Sequence, residues 1–192
     1  MPILGRVSAI APDSQVHRYS VEEYERLVAL GAFADARVEL IDGLVLDMSP
    51  KTPAHENVLE WLREWFDIRL DRARLRLRVC APLRLADGEP EPDLAVCERS
   101  EPRNVHPSSA LLVVEVALSS AERDLTVKPA RYAATVGEYW VVNLAARQVV
   151  VHRSPGPDAY RSVGSHSPGA TLSATCVGIA EALSVSQLFA SA

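Results

Sequence analysis

The sequence predicts an α/β or α+β fold in which helices pack on a mixed β-sheet. Three features carry this prediction. The segment that follows residue 52 repeats its apolar side chains at helical spacing. The run ALLVVEVAL at 110–118 is apolar enough to be a central strand covered on both faces. The predicted elements follow the order helix, hairpin, long helix, several strands, helix and strands, which is typical of a mixed sheet flanked by helices.

The first half of the chain contains two helices with a hairpin between them. The stretch SVEE at 20–23 is a capping box, which predicts a short helix beginning there. Asp42-Gly43 stands between two short alternating runs and indicates a two-residue hairpin turn. Thr52-Pro53 is typical of a helix N-terminus, and the apolar periodicity extends this helix to about Asp71.

The second half of the chain is predicted to contain strands interrupted by one helix. RLRLRV at 74–79 alternates strictly and predicts a strand with an arginine face, and PDLAVCE and ALLVVEVAL predict the next two strands. Proline is tolerated only in the first turn of a helix, so Pro129 predicts a helix start near Thr126. EYWVVNL and RQVVVHRS predict a second hairpin, and a helical turn or two is expected at about 179–189.

Size and composition are those of an ordinary globular protein. The 192 residues fit one domain, with residues 1–18 as an N-terminal arm. No apolar run approaches the roughly 20 residues of a membrane span, and no signal-peptide pattern is found. Three widely spaced cysteines indicate reduced thiols in the cytoplasm. The net charge of −5 argues against coating of nucleic acid by bulk charge, but it is compatible with a nucleic-acid enzyme that has a local basic face.

Three acidic residues fall on predicted strands beside apolar neighbours: Glu39, Asp93 and Glu115. Any one of them can face solvent or pair with an arginine. Glu115 is different because its strand is predicted to be covered on both faces, and an unpaired buried charge costs several kcal/mol. It therefore needs a cation, which can be an arginine, Lys128 or a metal ion. Carboxylates that converge at strand ends suit Mg²⁺ or Mn²⁺, which also bind phosphate oxygens.

The chain resembles the Uma-two family of restriction-endonuclease-like proteins, within the PD-(D/E)XK nuclease superfamily. The resemblance rests on YSVEEYERL, RVELIDGLVLDMSP, AHENVLEWL, EPDLAV, LLVVEVALSS, DLTVK and EYWVVN, which together span nearly the whole chain. It implies a restriction-endonuclease-like core in which Asp93 and Glu115 bind a divalent metal, with Glu39 completing the site. It also implies that Lys128 is the catalytic lysine. In the wider superfamily this lysine stands two residues after the Glu, where this chain has Ala117.

These features lead to the hypothesis of a DNA endonuclease that uses Mg²⁺ (or Mn²⁺) and acts as a homodimer. The alternative is a binding or assembly protein with little or no catalysis on the same scaffold, because a fold does not determine a function. DNA phosphates are expected to meet the arginine face of the 74–79 strand, although a solvated edge strand explains that face as well. That face consists of Arg74, Arg76 and Arg78.

Two further residues near these motifs have simpler interpretations. Asp124 lies four residues before Lys128, which predicts an i,i+4 ion pair, with a role in holding the lysine as the alternative. His55 matches a histidine of the family pattern, but the sequence shows no nucleophile or metal ligand beside it. We therefore interpret His55 as a capping or surface histidine.

Overall fold

The computed structural model describes residues 16–99, 104–118 and 120–192. Most of the predicted N-terminal arm, residues 1–15, lies outside the described residues. The described helices are α1 (Val21–Ala29), α2 (Pro53–Asp67), α3 (Ala121–Thr126), α4 (Lys128–Tyr132) and α5 (Val185–Ala190). The described strands are β1 (Val38–Ile41), β2 (Leu44–Asp47), β3 (Leu75–Val79), β4 (Leu94–Glu98), β5 (Ala110–Ala117), β6 (Val136–Asn143), β7 (Gln148–Pro155), β8 (Tyr160–His166), β9 (Thr171–Ser173) and β10 (Ala182–Ser184).

A six-stranded mixed sheet in the order β3-β4-β5-β6-β7-β8 forms the centre of the fold. Only β5 and β6 pair in parallel; the other neighbours within this sheet are antiparallel. A parallel pair needs a crossover connection, and α3 and α4 supply it between β5 and β6. The predicted mixed α/β architecture is confirmed.

Both faces of the sheet are buried, as the apolar β5 sequence predicts. On one face, Leu62 and Phe66 of α2 join the same core cluster as Val114 of β5. On the other face, Val113 of β5 packs in a second cluster with Tyr132 of α4. Full burial of one Val, Leu or Phe side chain contributes about 1.5–3 kcal/mol to the stability of the fold. Because side chains alternate along a strand, Glu115 lies on the same face as Val113.

The hairpin and the helix before it form as predicted. Ser20 caps α1 in a complete capping box with Glu23. β1 and β2 pair in register around Asp42 and Gly43, whose φ angles are 53° and 74°. Both values lie in the left-handed region that a type I′ hairpin turn requires. The hairpin is tied to the rest of the chain where Leu40 forms a bridge with Glu89.

Helix α2 begins where predicted and ends earlier. The Thr52 side chain accepts a hydrogen bond from the backbone N–H of His55, and Pro53 lies in the first turn. The predicted end near Asp71 is wrong, because the helix stops at Asp67. Leu70 continues the apolar pattern, but it is buried by a turn in which its N–H donates to the carbonyl of Phe66.

The helix that contains Pro129 begins at Lys128, two residues after the predicted start near Thr126. Helix α3 begins at Ala121, ends at Thr126, and is followed by a second short helix, α4, from Lys128. Pro129 lies in the first turn of α4, so the rule that proline belongs in a first turn holds, but it applies to the second helix.

The last third of the chain completes the six-stranded sheet and adds a small hairpin. β6 and β7 form the predicted hairpin, and β8 pairs with β7 in antiparallel register. The expected helical tail is partly strand, since β10 pairs with β9 before α5 begins. Within the described ranges, no helix combines the length and apolarity needed to cross a membrane.

Candidate active site

The four residues singled out from the sequence converge on one cavity of about 70 Å³. Glu39 comes from β1, Asp93 precedes β4, Glu115 lies on β5 and Lys128 begins α4. All four are buried, with exposed fractions of 3 %, 8 %, 4 % and 5 % respectively. They are separated by many residues along the chain and are brought together by the sheet and the hairpin beside it.

Strand register explains why Asp93 and Glu115 are neighbours. Leu94 of β4 pairs with Val114 of β5, and continuing this antiparallel register places Asp93 opposite Glu115. Their contacts agree, because the backbone N–H of Asp93 lies 3.4 Å from Oε2 of Glu115. The N–H of Val116 donates to Oδ2 of Asp93 at 2.9 Å. The two carboxylates therefore share one end of the β4–β5 pair.

Lys128 reaches this pair from the first turn of α4. Its Nζ donates to Oε1 of Glu115 at 2.8 Å and lies 3.2 Å from Oε2 of Glu39. It also lies 3.4 Å from Oδ1 of Asp124, so the predicted i,i+4 ion pair is confirmed. A lysine displaced from position 117 to a following helix thus still meets the strand glutamate.

The charges in this cluster affect each other strongly. Burial raises the pKa of Glu115 to about 8; Lys128 opposes this shift, and Asp124, Asp93 and Glu39 add to it. For Lys128, burial opposes the charged form, but the attraction of Glu115 and the other acids raises its pKa well above the usual value. Lys128 is therefore a permanent cation in this site at neutral pH.

Asp93 is held by a different set of groups from Glu115. Nε2 of His55 lies 3.0 Å from Oδ2, and Nζ of Lys51 lies 3.3 Å from Oδ1. Burial acts to raise the pKa of Asp93, but the hydrogen bond and charge of His55, the Val116 N–H and Lys51 outweigh it and lower the pKa. Asp93 is consequently ionised. An ionised carboxylate only accepts, so Nε2 of His55 carries the proton.

Two residues of the site, His55 and Lys51, were not assigned to it from the sequence. The interpretation of His55 as a capping or surface histidine is wrong, because its side chain is buried against Asp93. Its position in the first turn of α2 directs it into the cavity, which no periodicity reveals. Lys51 offered one signal, since it is one of only two lysines in the chain.

Outer contacts hold the acidic residues in place. Arg123 donates to Oε1 of Glu39 at 3.2 Å, and the Tyr132 hydroxyl donates to Oε1 of Glu115 at 3.3 Å. The Ser120 hydroxyl donates to Oδ2 of Asp124 at 2.6 Å. All three of these partners come from the α3–α4 region, so the crossover between β5 and β6 also supports the site.

The donor set fits a hard divalent cation. It consists of carboxylate oxygens, which Mg²⁺ and Mn²⁺ prefer. Oε2 of Glu39 is buried without a hydrogen-bond donor, although Nζ of Lys128 is close to it. Among the described residues, no three Asp, Glu, His or Cys side chains already surround a common point. Mg²⁺ needs only one or two carboxylates because it keeps several waters, and Asp93 and Glu115 can supply them.

Comparison with solved structures agrees with this architecture. The fold matches the crystal structure described as "a putative nuclease belonging to DUF820" from Anabaena variabilis, with a TM-score of 0.73 and 15 % sequence identity. The match covers 90 % of this chain and 98 % of the other. At this identity the likeness shows the fold, and the restriction-endonuclease-like core expected from the sequence is confirmed. No curated protein sequence matches the chain.

The family comparison covers most of the chain. Residues 21–186 match the model of the Uma2 family, which carries the description "Putative restriction endonuclease". The matched range runs from the start of α1 into α5 and contains every residue of the site described above. The chain therefore belongs to the Uma2 family.

Proposed function

We propose that this protein is a metal-dependent nuclease that hydrolyses phosphodiester bonds in DNA. One observation supports this most directly: two buried carboxylates on neighbouring strands, Asp93 and Glu115, share a cavity with a buried lysine ammonium. Members of the family that includes this chain carry a nuclease description, and restriction-endonuclease-like enzymes generally use divalent metals. We further propose that the protein acts in the cytoplasm.

Asp93 and Glu115, with Glu39 as a third ligand, are the residues that would hold Mg²⁺ or Mn²⁺. When bound, such an ion lowers the pKa of a coordinated water and neutralises charge on phosphate oxygens. Lys128 is surrounded by acids and stays protonated, so it acts as a cation and not as a base. Its ammonium would orient the attacking water and stabilise the negative charge that grows on the phosphoryl oxygens.

Metal removal tests this proposal. We expect the wild-type protein to nick plasmid DNA in Mg²⁺ or Mn²⁺, EDTA to abolish nicking, and Asp93→Asn to cleave far more slowly in either metal. Gel electrophoresis of the plasmid forms measures all three results. Nicking by Asp93→Asn at the rate of the wild type would show that Asp93 is not needed for cleavage.

The second candidate function is binding without catalysis on the same scaffold. Two observations favour it. Both lysines of the chain already pair with carboxylates in the site, and among the described residues no three possible metal ligands are grouped around one point. Failure of the wild-type protein to cleave plasmid, single-stranded DNA or RNA in any divalent metal would select this function.

For the nuclease, the proposed assembly is a homodimer, because one site cuts one strand and two copies are needed to cut both.

The arginine face of β3 is the proposed contact for the DNA backbone. Arg76 and Arg78 pair with Cys97 and Ala95 across the β3–β4 ladder, on the same sheet face as Asp93. Arg78 is partly engaged, because it donates to the carbonyl of Pro82. Nε and Nη2 of Arg76 are buried, and no group in the described ranges accepts from them, so Arg76 enters this proposal for its positive charge.

We expect Arg76→Gln to weaken DNA binding about equally for all sequences and to lower the slope of log K against log [salt] by about 1. Phosphate contacts carry charge but no base information, which is the reason for both effects. Fluorescence anisotropy across a salt series measures them. Arg72→Gln is the matched control, since Arg72 is exposed and paired with Asp67 on the surface. Equal effects of the two variants would contradict the assignment.

A further inference from the structure

The two oxygens of Asp93 are held very differently. Oδ2 accepts from the backbone N–H of Val116 at 2.9 Å and lies 3.0 Å from Nε2 of the buried His55. Both of these donors belong to regular secondary structure, so Oδ2 is fixed. Among the described residues, the one ion-pair partner of Oδ1 is Nζ of Lys51, at 3.3 Å. A cation that binds Asp93 without breaking the strand contact must therefore bind Oδ1.

Lys51 is held less strongly at Asp93 than Lys128 is held at Glu115. It lies in the short segment between β2 and α2, and its side chain is 19 % exposed, against 6 % for Lys128. Lys128 is held by three carboxylates, whereas Lys51 is held by Asp93 and by the Sγ of Cys80 at 2.7 Å. Displacement of Lys51 from Oδ1 therefore costs less than displacement of Lys128 from Glu115.

We propose that Lys51 occupies the metal-binding oxygen of Asp93 until a divalent cation arrives, and then moves its ammonium to a phosphate of the bound nucleic acid. This inference rests on the proposed nuclease function and deepens it by assigning a phosphate-positioning residue. The ammonium and the divalent cation repel each other and compete for the same oxygen. The ammonium cannot move far, because residues 48–52 between β2 and α2 hold it at the wall of the same cavity.

The anionic substrate supplies the partner that Lys51 loses. A compact, rotatable ammonium on a flexible four-carbon stem suits such an exchange better than the planar fork of an arginine. The chain uses arginine almost everywhere else, and lysine occurs only at Lys51 and Lys128. Both lysines thus contact the carboxylates of one site, one as a fixed cation and the other as an exchangeable one.

The test measures metal binding and DNA binding separately. Isothermal titration calorimetry with Mn²⁺, in the absence of DNA, compares the wild type with Lys51→Met and Lys51→Arg. We expect Lys51→Met to bind Mn²⁺ about tenfold more tightly, because a neighbouring positive charge lowers the affinity of a carboxylate for the proton by about 1–3 logarithmic units, and a metal cation should gain in the same direction when that charge is removed. Lys51→Arg keeps the competing charge and should stay closer to the wild type. Arg72→Met, which removes an exposed cation far from the cavity, should change nothing.

Lys51→Met should weaken DNA binding, which is opposite to its expected effect on Mn²⁺ affinity. Fluorescence anisotropy with a short duplex is measured in EDTA and in Ca²⁺, a cation that also takes oxygen ligands, with recovery of intact DNA checked on a gel. We expect Lys51→Met to bind DNA several-fold more weakly than the wild type in Ca²⁺ and equally well in EDTA, where Lys51 remains on Asp93. Circular dichroism checks that each variant is folded.

Two results overturn the inference while leaving the nuclease proposal intact. One is wild-type or weaker Mn²⁺ affinity in Lys51→Met. The other is a loss of DNA affinity that is the same with and without metal, which would make Lys51 an ordinary phosphate contact. If the wild type binds no divalent cation and cleaves no DNA, the nuclease proposal fails together with the inference. If Lys51→Met does not fold, Lys51→Gln, which also removes the positive charge, replaces it in both titrations with the same expected and overturning results.

Discussion

Lys128→Met is expected to destabilise the protein by about 3–5 kcal/mol at pH 8, because it leaves buried carboxylates without their cation. Lys128 lies within 3.4 Å of Glu39, Glu115 and Asp124, and each of these is almost fully buried. Methionine keeps the length and apolar stem of the lysine, so the loss should reflect the charge alone. Urea denaturation followed by circular dichroism measures the change.

The pH dependence identifies the cause of this loss. Burial already raises the pKa of Glu115 to about 8 in the presence of Lys128, so loss of the ammonium raises this pKa further above its unfolded value. The folded variant then keeps the Glu115 proton at pH values where the folded wild type releases it, so the variant loses stability relative to the wild type as pH rises above about 8. The deficit of Lys128→Met relative to the wild type should therefore be larger at an alkaline pH above 8 than at an acidic pH near the unfolded pKa of Glu. A deficit of the same size at both pH values would indicate a packing defect instead.

Arg72→Met controls for the loss of one positive charge. Arg72 is exposed and forms a surface ion pair with Asp67 at 2.7 Å. Such pairs contribute about 0–1 kcal/mol, so this variant should stay within that range of the wild type. A comparable loss in both variants would contradict the assignment of Lys128 as the essential buried cation.

Glu115→Gln is expected to reduce DNA cleavage by more than about 100-fold, beyond the usual effect of removing an outer partner of a metal ligand. The amide has the shape of the carboxyl, and its oxygen can still accept from Lys128 and Tyr132. It has no negative charge to offer a divalent cation. The fold should therefore persist while metal affinity and cleavage decline together. Plasmid nicking and Mn²⁺ titration on the same preparation measure the two quantities.

Glu60→Gln is the matched control for this substitution. Glu60 lies on the exposed face of α2, away from the cavity, and the chemical change is identical. Cleavage by Glu60→Gln should equal that of the wild type. If Glu115→Gln nicked DNA as fast as Glu60→Gln, Glu115 would have only a structural role as the buried partner of Lys128.

Several parts of the fold and site were predictable from local sequence. The capping box at 20–23, the turn at Asp42-Gly43 and the start of α2 are local signals, and all appear as predicted. The buried acid of β5 was predictable because a charge within an apolar run requires a partner. Asp93 and Glu39 were also visible as acids beside apolar residues, and Lys128 as one candidate cation. The resemblance to a family assigned these residues and Glu115 to one site, and all four line one cavity.

Other features depended on contacts between distant segments. The break between α3 and α4 has no local signal beyond Pro129, so one helix was predicted in place of two. The contacts of His55 and Lys51 with Asp93 join positions about forty residues apart, and no spacing rule reports them.

The sequence by itself determined the mixed α/β class, the local turns and caps, and the need of Glu115 for a cation, because these follow from backbone preferences and the cost of burying charge. Only the tertiary structure decided which cation meets Glu115 and which groups hold Asp93. The reason is physical: ion pairs in a buried site depend on distances of about 3 Å between side chains, and these distances are set by strand register and helix placement.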